Sequence, residues 1–547
     1  MSLNASVDQS RGGRNRFLAL ALFALVGAGL GAAAAIQVMN GSLVAALCLV
    51  PYLALLCAVW WFTRGNVLVL VLVAYLIAPS PADNLLPQVY IFASTDYALR
   101  ARDMLFLADL VLLAALVLLR PPLPPGRLVR AWLAGLLLLA AYPVVVGLLM
   151  GVGQSVPAVI QGAVMPLRGV ALVILIAWWA RTRGWDEAVN DLGRTLVLCG
   201  AVIAAAEVVL LLMAGGEPNF SLFGYPLVTE GRPAVPGWGN NILANLFCTC
   251  LATVTFLGHR LGWGLWWRVL LSVLLLVGLA YTEVRIAMMV ALIVIETPVV
   301  LAVIRRLWPR RGAIVALGTG VVFGTVLGLT TVTVLFAMNP RFSTLVPAFI
   351  EQRIVHDASG PAAPPASIDP AAGVDRGAAS ISTRTALIKA AVDVWSRNYV
   401  VGTGWNGWGW AKDEGPYKQL VAVDPHNGFT WLLTDAGALG VLLLYLIPIV
   451  LALRRWDLWW LLAVPGVATA LEMVNPNLRN GHFAVLFWAF LAIAFVAPPP
   501  EQRYTFRRWL RDAWNWLRGR EVRTADGDMT QNVTAGDPGV PTEASVR

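Results

Sequence analysis

Long apolar stretches alternate with short polar connections along almost the whole chain. They lie near 17–37, 43–63, 66–80, 104–120, 131–150, 166–180, 194–214, 241–258, 264–281, 286–304, 313–337, 427–450, 457–474 and 482–498, and are built largely from Leu, Val and Ala. Continuous runs of this kind suit α-helices crossing a hydrocarbon core of about 30 Å. A transmembrane barrel would instead show short segments that alternate at every second residue. The pattern predicts an all-α polytopic membrane protein with about fourteen transmembrane helices. The run 166–180 is short for a bilayer, and only Thr282, Glu283, Val284 and Arg285 separate the ninth run from the tenth. Twelve spans with re-entrant pieces is therefore the alternative.

The pattern breaks once at length, and that break divides the chain into an N-terminal bundle (1–337), a loop domain (338–425), C-terminal spans (426–498) and a tail (499–547). Within the loop, Phe342, Leu345, Val346, Phe349 and Ile350 recur at helical spacing, as in a strip lying on a membrane or on other helices. Residues 357–380, rich in Pro, Ala, Gly and Asp, read as a linker, and Ser382 is placed to cap a helix running to about Asn398. A Gly- and Trp-rich turn follows. In the tail, Phe506, Trp509, Leu510, Ala513, Trp516 and Leu517 form one helical face with Arg503, Arg507, Arg511 and Arg518 around it, which suits an anionic leaflet. Residues 524–547 read as disordered.

Composition strengthens the membrane reading: 58% of residues are hydrophobic and 13% charged, and the mean hydropathy is +0.71. Charge sets the orientation. With the N-terminus inside, eighteen arginines fall on inner segments and seven more lie in the basic stretch 503–523 after the last span, whereas the short outer connections hold six: Arg100, Arg102, Arg168, Arg232, Arg285 and Arg479. Both termini are thus expected in the cytoplasm, with the 338–425 loop on the outer side. The basic leader Met1–Arg16 lacks a cleavage site, so the first run is expected to be retained. The net charge of +9 belongs to topology and lipid contact, and nucleic acid is not expected as a partner. All five cysteines lie in apolar runs and read as small core residues.

Chemistry concentrates between Arg384 and Gly440. There a polar, Trp-rich segment ends at Asp424-Pro425-His426-Asn427 and an apolar run begins at once, which puts His426 at a membrane surface. A neutral imidazole there can accept a proton from an attacking hydroxyl, or simply cap the helix that follows. Arg285 either pairs with Glu283 in its short turn or offers its guanidinium fork to a phosphate. Arg384 shares a helical stripe with Ile388, Ala391 and Trp395, so its charge points with the buried side unless it snorkels away. Trp405, Trp408 and Trp410 repeat across a glycine-rich turn and suit either sugar stacking or interfacial anchoring. Arg232 and Arg168 are further outer-face candidates. Of Asn240, Asn241 and Asn245, one is expected to cap its span and another to reach substrate. Asp109, Glu207, Asp435 and Glu472 fall in outer halves of spans, as around a polar cavity, whereas Glu296 fits no such pattern.

Three segments, GRPAVPGWGNNILANLF at 231–247, YTEVRIAMM at 281–289 and TWLLTDAGALG following His426-Asn427, the last preceded by the turn GTGWNGWG, resemble the signature regions of the O-antigen ligase and O-antigen polymerase family. Glu283 and Val284 depart from the small residues usual in that family before the arginine. The resemblance covers about 225–445 and implies a GT-C-like bacterial inner-membrane glycosyltransferase acting on polyprenyl (undecaprenyl) diphosphate-linked glycans at the outer face. It implies His426 as catalytic base, Arg285, Arg384 and Arg232 as diphosphate ligands, and Asn427, Asn241, Trp405, Trp408 and Arg168 as substrate contacts. The partners would be the carrier-linked glycan, a glycan or glycolipid acceptor and membrane lipids, with inversion at the anomeric carbon. No cofactor or metal is expected: Asp526-Gly-Asp528 is the sole DxD and lies on the wrong side, and CxxC, HExxH and Walker patterns are missing. A polymerase, a protein O-oligosaccharyltransferase and a lipid-linked sugar flippase are the alternatives. No paired broken helices or internal repeat favour the last.

Overall fold

The computed structural model describes residues 54–77, 89–90, 98–99, 106, 110, 127–150, 156–215, 217, 219–222, 225–229, 232–233, 240–282, 284–311, 313–338, 375–413, 417, 425, 427–473, 478 and 481–498. The run 17–37, much of 43–63 and 104–120, the strip 342–354, the linker to 374, His426 and the tail from 499 lie outside these residues.

The described helices are α1 (Val67–Ile77), α2 (Arg127–Met150), α3 (Val156–Arg183), α4 (Trp185–Ala214), α5 (Asn240–Leu257), α6 (Leu265–Thr282), α7 (Arg285–Arg311), α8 (Ala313–Met338), α9 (Asp375–Arg397), α10 (Gly407–Asp413), α11 (Gly428–Arg454), α12 (Trp459–Leu471) and α13 (Gly481–Val496). Seven among the described residues (α2 to α7 and α11) hold stretches long and apolar enough to cross a membrane, while α1, α12 and α13 are apolar but shorter. The span expected at 166–180 belongs to a 28-residue helix. Its first half escapes the hydropathy pattern because Gln161, Pro166 and Arg168 interrupt the apolar run, yet proline and isolated polar groups are tolerated where neighbouring helices cover them.

Helices α5 and α13 form the centre. Every residue from Ala484 to Phe495 is buried, as expected of a helix apolar on all sides. Trp488 of α13 sits against Gly169 of α3, where a Cβ would come within 2.7 Å of the indole ring. Residues 243–254 of α5 are likewise buried despite three polar side chains. Two of these solve the problem locally: Thr249 and Thr253 donate to the carbonyls of Asn245 and Thr249, at 2.8 and 2.9 Å. At the periphery, α6 and α8 expose large apolar side chains such as Trp266 (82%) and Val321 (64%), a surface suited to lipid. α8 docks on α7 through Gly320, Gly324 and Gly328, which face Ile304, Val300 and Glu296 respectively. In this small-residue seam the Glu296 carboxyl group lies over Gly328.

The fold is not purely α. Strands β1 (Val89–Tyr90) and β2 (Ala98–Leu99) form one antiparallel pair. Strands β3 (Phe220–Leu222), β4 (Tyr225–Thr229) and β5 (Arg232–Pro233) form an antiparallel meander. The meander packs against α4 and α6. A second difference concerns α9, which starts at Asp375, so Ser382 lies inside the helix and not at its N-terminus. The Ala-rich sequence before Ser382 continues the helix instead of ending it.

Consecutive helices run up and down, and contacts fix which ends meet. At one end Asn66 donates to Asp191 (2.5 Å), Arg194 to the Leu261 carbonyl (2.9 Å) and Arg455 to the Pro498 carbonyl (2.9 Å), and the Arg260 guanidinium lies 3.9 Å from the Trp460 ring centre. The opposite end carries the meander, the starts of α5, α7 and α11, and the exit of α12.

Candidate functional site

The site is built around the first three turns of α11. Asn427 caps it: its side-chain oxygen accepts from the backbone N–H groups of Phe429 and Thr430, each at 3.0 Å. Its amide donates to the Met473 carbonyl at 2.7 Å, and Gly428 N–H donates to the Glu472 carbonyl at 2.6 Å. The Glu472 carboxylate in turn accepts from Leu478 N–H at 2.7 Å. The entrance of α11 is thus tied to the exit of α12, directly after His426 in the chain. Asn427→Ala removes a cap worth about 1 kcal/mol. It is expected to lower thermal stability in detergent by about that amount, with Asn427→Asp retaining most of it.

Two turns further on, α11 breaks. Gly437 adopts φ 65° and ψ −171°, which frees backbone groups on either side. The turn after α9 takes them up. Thr403 N–H and Gly404 N–H donate to the carbonyls of Thr434 (2.8 Å) and Asp435 (2.9 Å), while Ala438 N–H and Leu439 N–H donate to those of Tyr399 (2.9 Å) and Val400 (3.1 Å). The Tyr142 hydroxyl of α2 donates to the Ala436 carbonyl. Such close approach requires glycine: Gly402 has φ 72° against residues 435–437, and Gly404 has φ 90° against Gly147.

Asp435 is fully buried and accepts from Asn406 N–H (2.9 Å) and Trp408 N–H (3.3 Å), so its carboxylate holds the start of α10. Asn406, in the left-handed region at φ 59°, donates its side-chain amide to the Ala158 carbonyl of α3 at 2.5 Å. A cleft of about 310 Å³ opens here, lined by Ala158 and Gln161 of α3, Asn406, Trp408 and Gly409 at α10, and Trp431 and Asp435 of α11.

The sequence candidates fall into different places. Trp405 is buried, stacks on Trp431 with ring centres 5.7 Å apart, and donates its indole N–H to the Ala140 carbonyl (3.4 Å), so it packs the turn and presents no free face. Trp408 both lines the cleft and packs on α9. The buried stripe of α9 is Leu387, Ala390, Ala391 and Val394, and Ile388 is exposed. Of the stripe drawn through Arg384, Ile388, Ala391 and Trp395, Ala391 is thus buried and Ile388 is not, and the buried rows pack on Trp408 and Ala411 of α10. Arg168 is buried on α3 with its guanidinium 5.8 Å from the Phe106 ring centre, and it is not among the cleft-lining residues. Asn241 lies half-buried in the first turn of α5. Arg232 pairs through its backbone with Thr229, Arg285 opens α7, and Arg384 lies in α9. The side chains of these three arginines, and His426 altogether, lie outside the described parts.

Residues 270–445 match the family model for O-antigen ligase. The matched segment, less than half of the chain, is similar to that family. It runs from α6 to just past the break in α11, so it contains the YTEVRIAMM segment, the GTGWNGWG turn, His426 and the docked TDAGALG run, while the segment at 231–247 precedes it. No curated protein matches the chain. Beside this match, seven helices among the described residues are long and apolar enough to cross a membrane, as in a multi-pass membrane protein.

Gln161, Asn406 and the glycines at 402, 404 and 437 were not singled out by the sequence. Asn406 sits inside the quoted GTGWNGWG turn, which was the one available signal. Gln161 carries none, because its partners in the cleft come from residues more than two hundred positions away.

Proposed function

We propose that the protein transfers a glycan from a polyprenyl diphosphate carrier to an acceptor hydroxyl at the outer face of the bacterial inner membrane. The observation that carries this reading is the O-antigen ligase match across 270–445, which includes Arg285, Arg384 and His426. His426 deprotonates the acceptor hydroxyl, and in-line attack at the anomeric carbon inverts it. Arg285 and Arg384, with Arg232, hold the diphosphate and stabilise the charge that develops as it leaves, so the chemistry needs no metal. The arginine asymmetry of the connections assigns both termini to the cytoplasm and this site to the outer side.

A ligase and a polymerase differ in the acceptor. Purified protein given carrier-linked glycan alone is expected to be inert and to act once a lipid-borne core glycan is added. Chain growth with the carrier-linked glycan alone makes it a polymerase. Movement of carrier lipid across liposomes without bond breakage would remove the enzyme reading.

A further inference from the structure

We propose that an apolar stripe on α9 is a lipid-contact surface, seated in the membrane leaflet at the end of the bundle that carries the site. The stripe emerges from the three faces of this helix. Leu387, Ala390, Ala391 and Val394 are buried against α10. Lys389, Asp393, Ser396 and Arg397 form a polar face, on which Asp393 and Arg397 pair at 2.8 Å. Ile388, Val392 and Trp395 recur at i, i+4 and i+7 between those two faces, and Val392 is 47% exposed. The stripe runs on into the following turn, where the Trp395 indole N–H donates to the Tyr399 carbonyl at 2.8 Å and the side chains of Tyr399 and Val400 are exposed. A helix with water on both of its open sides gains nothing from such a row, whereas one packed on protein, lipid and water presents a different face to each.

Position decides the partner. Ala438 N–H and Leu439 N–H of α11 donate to the Tyr399 and Val400 carbonyls, so the end of the stripe abuts α11. From Ala438 an exposed row continues along α11 through Leu442, Leu446, Ile449 and Leu453. Because α11 is one of the helices long and apolar enough to cross a membrane, that row is a surface suited to acyl chains, and the α9 stripe prolongs it. Trp395 and Tyr399 are of the residue types that concentrate where acyl chains meet headgroups. On the glycosyl-transfer reading above, on which this step rests, the surface has a use. Arg384 stands one turn before Ile388 in α9, and a carrier lipid lying along the stripe would bring its diphosphate to that turn.

Nitroxide labels test the surface in the full-length protein, in nanodiscs of phosphatidylethanolamine and phosphatidylglycerol. They are attached singly to Ile388→Cys, Val392→Cys and Ser396→Cys in a background of Cys48→Ser and Cys57→Ser, with the buried Cys199, Cys248 and Cys250 retained. Relaxation by oxygen, which concentrates among acyl chains, is compared with relaxation by a water-soluble nickel chelate. Oxygen is expected to dominate at positions 388 and 392, and nickel at 396. Dominance of nickel at 388 and 392 places the stripe in water and overturns the proposal. Shielding of both positions from both reagents places protein on the stripe, either residues 342–354 or a second copy of the chain, and overturns it as well. Transfer assays give a separate reading: Val392→Asp is expected to raise KM for the carrier-linked glycan by about tenfold with kcat within about twofold, and Ser396→Asp to change neither. An unchanged KM in Val392→Asp overturns the carrier's use of the stripe. If the labels lie in lipid yet the wild type transfers nothing, the lipid surface stands and the transfer reading fails.

Discussion

Alanine at His426 is expected to lower glycan transfer by about 10²- to 10⁴-fold, the usual worth of a positioned general base. Alanine at Arg384 is expected to cost about 10²- to 10³-fold, the worth of one preorganised group stabilising a leaving charge. Both variants should insert and purify as the wild type does. His426 precedes a helix start held by the three side-chain hydrogen bonds of Asn427, and His426→Ala leaves Asn427 in place to make them. Arg384→Lys is expected to recover only part of the loss, because an ammonium keeps the charge but not the planar fork that engages two phosphate oxygens. The measurement is single-turnover transfer from a labelled carrier-linked glycan in detergent or nanodiscs. Wild-type rates in His426→Ala or Arg384→Ala would refute the proposed roles.

Where a long apolar run met no competing signal, the sequence located helices closely. The runs at 131–150, 241–258 and 264–281 correspond to Arg127–Met150, Asn240–Leu257 and Leu265–Thr282, because burial of continuous Leu and Val leaves one solution in a bilayer. The first half of α3 was not legible, since a polar or proline residue every few positions lowers the hydropathy, and only contacts with α2 and α13 show why the helix persists. Nor was the register of α9, whose buried rows pack on Trp408 and Ala411. The abrupt change of composition at Asn427 correctly marked the start of a helix, and the cap belongs to Asn427. What lay furthest out of reach was the meaning of GTGWNGWG and TDAGALG as a pair. Each looks like a local motif, yet each exists to receive the other, with α2 and α3 as third parties at Gly147 and Gly162.

That pairing sets the second large effect. Valine at Gly402, or alanine at Gly437, is expected to destabilise the protein by about 3 kcal/mol or more, combining left-handed backbone strain with overpacking. At Gly402 the added Cβ would lie 2.6 Å from the backbone of Asp435 and Gly437, and at Gly437 it would lie 2.2 Å from the Val400 carbonyl oxygen. These neighbours are backbone atoms, of α11 in the first case and of the turn docked on it in the second, and cannot swing aside as a side chain could. Alanine at Gly466, where a Cβ meets nothing within 4 Å, should leave stability unchanged. Thermal unfolding in detergent reads the difference, and wild-type unfolding of Gly402→Val would show that the turn does not dock on α11. The loss has a second component. The same turn carries the Asn406 and Trp408 N–H groups bound by Asp435, so undocking removes the cleft wall along with the fold contacts. Gly402→Val should therefore lose transfer and stability together, whereas His426→Ala should lose transfer alone, and that contrast separates the scaffold of the site from its chemistry.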